Sequence, residues 1–355
     1  MSPQFTSKSY DQSLFLLLLC VCLTYFGCHA SIQCVESERD ALLEFKHGIR
    51  VDRCGLLDSW SVTPDCCLWS GIQCHNLSGH VIAVDLPTLV SYYSVNQDVC
   101  LEGTIGISLL ELKHLKYLNL SRNYFGGHLP KFIGSLTNLE HLDLSHVGFT
   151  GVVPNEIGNL SKLLSFNLHC AYHDYDYDMK VESLQWLSQL RLLRELDLGG
   201  IDLSLTTNNW LSIVNNLPHL RALRFDNCNL SLKLPSSLSY INSSTTISTI
   251  SLVENNFNDT SIFEWLSNLN GLESSLVYLD LSDNSQLFGS TFQLSNNTWN
   301  FLDLNGNQLW GSITDNIGNL SYLRVLYVFG NQLNGTISEA LWGLPKLEAL
   351  DLAWI

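Results

Sequence analysis

Leu115-Lys116-Tyr117-Leu118-Asn119-Leu120-Ser121-Arg122-Asn123 sets leucine at the first, fourth and sixth places of a short stretch and asparagine at its last. The same frame returns as Leu276-x-x-Leu279-x-Leu281-x-x-Asn284 and as Leu323-x-x-Leu326-x-Val328-x-x-Asn331. Aligned on the last place, it closes at residues 123, 147, 171, 201, 228, 255, 284, 307, 331 and 355, and an earlier, less regular turn runs from Val81 to Leu89. A unit this short cannot bury its own leucines, so successive copies must stack on one another. The chain is a solenoid.

The spacing is that of a leucine-rich repeat. Alternation along a strand sends Leu118 and Leu120 inward and Asn119 and Ser121 outward. Stacked strands then form one long parallel sheet on the concave side. The recurring asparagines (Asn123, Asn255, Asn284, Asn307, Asn331) carry both donors and an acceptor, which suits them to pair with backbone where the chain leaves its strand. Cys228 takes that place in one repeat and is expected to be a buried structural thiol.

The balance of 34 acidic against 18 basic residues, a formal net charge of -16, repels phosphate backbones, and no local basic face offsets it. Nucleic acid is therefore excluded as a partner. Residues 1–30 read as a secretory signal: Lys8, an apolar run from Leu14 to Phe26, then Cys28-His29-Ala30 before cleavage. The run is short for a bilayer, and no later segment reads as a membrane span. Cleavage after Ala30 removes Cys20, Cys22 and Cys28 and leaves the remaining cysteines in a compartment where disulfides persist. Five of those fall between Cys34 and Cys74, and the sequence does not choose their pairing. A metal site at Cys66, Cys67 and Cys74 is the competing reading, but adjacent cysteines suit a disulfide cap better.

Between Cys34 and Cys74 runs Cys34-x-x-x-Ser37-Glu38-Arg39-Asp40-Ala41-Leu42-Leu43-Glu44-Phe45-Lys46, then Leu57-x-x-Trp60, then Asp65-Cys66-Cys67-x-Trp69-x-Gly71-Ile72-x-Cys74. Ser37 with Asp40 reads as a helix start, and Ala41, Leu42, Phe45 and Ile49 as the apolar stripe that covers the open end of the first coil. This stretch resembles the amino-terminal cap of plant extracellular leucine-rich repeat proteins. The resemblance implies bridges from Cys34 to Cys66 and from Cys67 to Cys74; Cys54 and Cys100 are extra to the pattern, with a mutual bridge left open. A second mark, Gly127-His128-Leu129-Pro130 and Gly151-Val152-Val153-Pro154 with weaker copies at Gly311-Ser312-Ile313 and Gly335-Thr336-Ile337, is similar to the plant-type Gly-x-Ile-Pro signature, in which a short second strand follows the turn. The implied fold is an α/β solenoid: a right-handed plant-type superhelix with a parallel concave sheet and a disulfide-stapled helical cap. Its expected organisation is a signal peptide (1–30), the cap (31–80) and about eleven repeats (81–355), the last incomplete.

Finer likeness lies in residues 108–118, in Leu220 to Leu230 and in Phe263-Glu264-Trp265-Leu266. These resemble the plant receptor-like proteins, in the branch that includes receptors for a fungal ethylene-inducing xylanase. Such receptors join an extracellular solenoid to a membrane span and a short tail without a kinase. The resemblance implies recognition of a microbial protein or peptide on the concave face, signalling through a partner receptor kinase, and a place at the outer face of the plasma membrane or in the apoplast. The rival reading is a soluble inhibitor of microbial cell-wall enzymes of the polygalacturonase-inhibiting type, or a truncated receptor without function. The inhibitors end in a cysteine-bearing cap, whereas the last cysteine here is Cys228, and the chain stops at Ile355 inside a strand. An uncapped final coil is expected to fray from about Tyr322 onward.

Among the outward positions, the candidate ligand-binding residues are Tyr117, Arg122, His141, Asp143, Arg194, Asp197, Arg224, Tyr278, Asp280, Arg324 and Tyr327. Aromatic rings and arginine dominate interface energetics, and a plain solvated face is the alternative for any one of them. The stretch from His169 to Lys180 breaks the period. Its alternating aspartates suggest calcium, but Met179 stands where the loop glycine is needed and Gln185 where the bidentate glutamate belongs, so a tyrosine-rich loop beside the concave face is expected instead. Sequons stand at Asn76, Asn119, Asn159, Asn229, Asn242, Asn258, Asn296, Asn319 and Asn334, and a glycan on Asn119 is expected to block part of the face. Catalysis finds no support: histidines are scattered, and nucleophile elbows and phosphate loops are missing. No cofactor and no resident metal are expected.

Overall fold

The computed structural model describes residues 33–60, 62–89, 99–170, 179–207, 209–232, 246–258, 261–269, 276–290 and 298–353. The expected signal segment, most of the aspartate-tyrosine loop (171–178), the sequons at Asn242 and Asn296, and Ile355 lie outside these residues.

The concave sheet holds twelve strands among the described residues. In chain order they are β1 (Ile72–Cys74), β2 (Val81–Asp85), β3 (Tyr117–Asn119), β4 (His141–Asp143), β5 (Ser165–Asn167), β6 (Glu195–Asp197), β7 (Ala222–Arg224), β8 (Thr249–Ser251), β9 (Tyr278–Asp280), β10 (Phe301–Asp303), β11 (Val325–Tyr327) and β12 (Ala349–Asp351). β1 runs antiparallel to β2, and every later pair is parallel. Register keeps each central side chain level with the next, from Leu118 through Leu142, Phe166, Leu196 and Leu223 to Ile250, Leu279, Leu302 and Leu326. All of these are buried. Parallel strands this short depend on that continuous apolar row, because no single coil closes a core.

Asparagine turns each coil out of its strand. Nδ2 of Asn123 donates to Leu86 O (2.8 Å) and Leu120 O (2.9 Å), while its Oδ1 accepts from Leu101 N (3.0 Å) and the Thr88 hydroxyl (2.8 Å). One side chain thus satisfies backbone groups of its own coil and of the neighbouring one, which buried peptide groups require. Cys228 does part of this work with a thiol: Sγ donates to Leu198 O (3.2 Å) and Asp226 O (3.4 Å). Complete burial pushes that thiol well above its ordinary pKa, so it stays protonated. The residue just before this position takes a left-handed backbone, supplied by Gly200, Gly306 and Gly330 in some coils and by Arg122, His146, Asn227, Glu254 and Asp283 in others, at φ between 47° and 59°.

The return paths carry short helical turns and a second, narrower set of strands. Gly151–Val152 pairs with Met179–Lys180, and Phe288–Ser290, Gln308–Gly311 and Gln332–Leu333 form a parallel ribbon, the short second strand that the glycine-proline signature implies. Gly134 marks a tight crossing between coils: a Cβ there meets the Glu156 carbonyl oxygen at 2.1 Å. In the wider coils the core is filled by Trp210, packed edge-on to Trp265 (5.7 Å) and Phe225 (6.2 Å).

At the amino end, α1 (Glu36–His47) lays Ala41, Leu42 and Phe45 over the first coil, where Phe45 meets Trp60 (6.2 Å) and Trp60 stacks on Trp69 (5.3 Å). Two sequence expectations need correction. The helix begins at Glu36, with Val35 in the cap position and no side-chain cap bond, because valine carries no side-chain acceptor; Ser37 and Asp40 do not start it. Ile49 lies beyond the helix, on the strand Ile49–Asp52 that pairs antiparallel with Leu101–Gly103, since the chain leaves the helix at Gly48. Three disulfides tie the cap: Cys34–Cys66, Cys67–Cys74 and Cys54–Cys100. The third joins the cap to the coil that precedes β3.

Candidate functional site on the concave face

The outward side chains of β3 to β6 gather in one patch. Tyr117 and His141 lie side by side on neighbouring strands, ring centres 5.8 Å apart. Tyr117 is held un-ionised chiefly by burial, helped by the charge of Asp85. One coil further, His146 and His169 approach to 4.9 Å, and His169 Nδ1 sits 3.2 Å from Asp197 Oδ1. Burial and the neighbouring His169 and Arg122 lower the His146 pKa to about 4. Burial works the same way on His169, but Asp197 outweighs it, and the His169 pKa is raised. Arg122 and His146 occupy the left-handed backbone position, an uncommon conformation for such side chains.

A second patch covers β7 to β11. Tyr278 stacks flat on Phe301 (4.3 Å, 7°), and Phe301 meets Tyr327 edge-on (6.1 Å). Beside this row is an open depression of about 450 Å³ lined by Arg224, Asp226, Thr249, Ser251, Val253, Tyr278 and Asp280. The carboxylates here are partly desolvated. Burial raises the pKa of Asp226 although Ser251 and the Val253 N–H bond to it, and burial with the charge of Asp280 raises Asp303 to about 6.

Several candidates serve the scaffold as well as the face. Asp143, Asp197 and Asp280 each accept the backbone N–H two residues on, from Ser145 (2.9 Å), Gly199 (3.0 Å) and Ser282 (3.0 Å). Asn119, Asn167, Asp303 and Asp351 repeat the bond, so a short polar acceptor at the strand end is a device of the turn. Ser121, read as outward, is only 7% exposed because the stacked turns close over it. Arg324 is committed to Glu348 in a bidentate pair (2.6 and 2.8 Å) at the exposed rim, and Arg194 stands exposed on the same face. The sequon residue Asn119 faces the groove with Nδ2 donating to Asp85 (2.9 Å); Asn76, Asn159, Asn258, Asn319 and Asn334 are exposed, and Asn229 is half-buried. Phe301, His146, His169 and Asp303 are not among the sequence-derived candidates. Phe301 was readable, as it precedes the ladder residue Leu302 just as Tyr278 precedes Leu279.

The fold and its cap define a leucine-rich repeat solenoid of plant type. The family model described as leucine rich repeat N-terminal domain matches residues 35–75, and the leucine rich repeat model matches 114–136, 138–160, 219–241 and 322–344. The chain is 33% identical over 390 residues to Receptor-like protein EIX1 of Solanum lycopersicum, covering 93% of this chain and 37% of that protein. It is 34% identical over 327 residues to Receptor-like protein EIX2 of the same plant, covering 90% and 28%. Among solved structures, the Arabidopsis receptor kinase HAESA, in complex with the peptide hormone IDA and the co-receptor SERK1, superposes with a TM-score of 0.66 at 24% identity, over 90% of this chain and 53% of that one. A plant ice-binding protein superposes with a TM-score of 0.58 at 21% identity, over 89% and 95%. At those identities the two likenesses show the fold alone. The chain is a relative of the plant leucine-rich repeat receptor-like proteins typified by tomato EIX1 and EIX2, matching the amino-terminal leucine-rich repeat region of their ectodomains. It spans about a third of the length of those relatives. Among the described residues, no helix is long and apolar enough to cross a membrane.

Proposed function

We propose that the chain is an extracellular recognition module, binding a microbial protein or peptide on its concave face, with the signal carried by a partner receptor kinase. The observation that supports this most is the row Tyr278–Phe301–Tyr327, three aromatic rings on consecutive strands on the outward side of the concave sheet. Binding hot spots are enriched in rigid aromatic surface, tyrosine included. The disulfide-tied cap fits secretion to the apoplast or the outer face of the plasma membrane. HAESA, whose solenoid has the same fold, is seen with a peptide and a co-receptor, which makes a co-receptor the natural second partner here. The test is direct binding of the secreted chain to a purified fungal ethylene-inducing xylanase. Saturable one-to-one binding is the expected result; its absence at micromolar protein would reject that ligand class.

A further inference from the structure

We propose that Glu38, His80 and His114 form a binding site for one divalent transition-metal ion, zinc(II) first, at the seam between the cap and the first regular repeat. Glu38 lies on α1, His80 just before β2 and His114 just before β3, so three segments distant in sequence meet here. The Glu38 carboxylate is 3% exposed. Its Oε2 is fixed by the Val81 N–H at 2.6 Å, and both imidazoles turn Nδ1 toward its Oε1, His80 at 2.8 Å and His114 at 3.7 Å. The three ligand atoms lie within 4.8 Å of one another. In a tetrahedral zinc site with bonds of about 2.0 to 2.1 Å, ligand atoms stand roughly 3.3 Å apart, between the two observed separations.

A hydrogen bond to this carboxylate accounts for His80 at 2.8 Å, whereas His114 stands 3.7 Å from the same oxygen, within ion-pair reach but too long for a hydrogen bond. The two rings are stacked at 3.8 Å and 23°, so they cannot both aim in-plane lone pairs at one ion as they stand. His114, 53% exposed, is the ring that rotates; His80, 31% exposed, is held against Glu38. Two imidazole nitrogens and one carboxylate oxygen suit zinc(II), with water completing the shell on the exposed side. The ion would take the place of the hydrogen bond between His80 and Glu38 and tie the cap helix to the solenoid. This departs from the sequence expectation of no resident metal, because nothing in the spacing of residues 38, 80 and 114 announces a site.

Metal-free secreted chain titrated with zinc chloride by calorimetry, with cobalt(II) absorption as the second readout, tests this. One ion per chain is expected, with affinity falling at least roughly tenfold in His114→Ala and in His80→Ala and unchanged in His219→Ala, an exposed control elsewhere. His114 is 53% exposed and lies outside the buried leucine row, so its variant keeps the core. No saturable zinc binding by the parent, or His114→Ala binding as tightly as the parent, overturns the site.

Discussion

The backbone N–H of Asn255 donates to Oδ1 of Asn284 at 3.0 Å, and Nδ2 of Asn284 returns bonds to Leu252 O and Leu281 O at 3.0 and 2.9 Å. The asparagines therefore link one coil to the next, and each coil's turn depends on its neighbour's side chain. Asn284→Ala strands buried carbonyls and a buried N–H, and is expected to lower stability by about 1–3 kcal/mol. Urea denaturation followed by circular dichroism measures it, and a loss below the resolution of that experiment contradicts the linkage.

Leu118→Ala opens a cavity in the central row and is expected to cost about 2–5 kcal/mol. Substituting Tyr117, Arg122 and His141 together by alanine should leave the unfolding midpoint nearly unchanged, since all three point away from that row. Should the surface triple unfold the protein as Leu118→Ala does, the strand register described here is wrong.

The three disulfides should be recovered as linked peptides from secreted protein digested without reduction. In the chain-entropy picture, with separations of 46 residues for Cys54–Cys100 and 7 for Cys67–Cys74, replacing the first pair by alanine costs roughly 4 kcal/mol and the second roughly 2 kcal/mol. A larger midpoint loss for the short loop argues that the long one is not closed.

Asp303 and His146 set opposite pH dependences. Asp303 has a folded pKa of about 6 against an ordinary value of 3.8, so its contribution is full below about 3.8 and lost as pH rises to about 6. His146 has a folded pKa of about 4 against 6.5, so its contribution is full above about 6.5 and lost as pH falls to about 4. Asp303→Asn should therefore gain stability relative to the parent at pH 7 more than at pH 4. His146→Ala should flatten the acid side of the profile between about 6.5 and 4. Thermal melts of both variants across that range decide the signs.

What was legible in the sequence was whatever recurs or is local. The leucine row and the closing asparagines follow from periodicity, and Cys228 in an asparagine place reads correctly as a buried thiol because its neighbours fix the frame. The turn bonds of Asp143 and Asp280 were not read from the sequence, where both stand as outward ligand-binding candidates. The partnership of Cys54 with Cys100 depends on the hairpin of Ile49–Asp52 with Leu101–Gly103, a contact that no repeat encodes. The meeting of Glu38 with His80 and His114 is set by how the cap docks, and Glu38 looks in sequence like any solvated helix carboxylate.

Recognition by the concave face is tested most directly by comparing two sets of variants for binding to the same fungal ethylene-inducing xylanase. One set replaces Tyr278, Phe301 and Tyr327 by alanine; the other replaces the return-side pair Lys131 and Glu156, which lie 3.5 Å apart away from the sheet. Loss of at least roughly tenfold in affinity for the aromatic set, with the return-side set binding like the parent, is the expected result. Equal binding by the aromatic set, with weakening in the return-side set, contradicts a concave site and moves recognition to the outer surface of the solenoid.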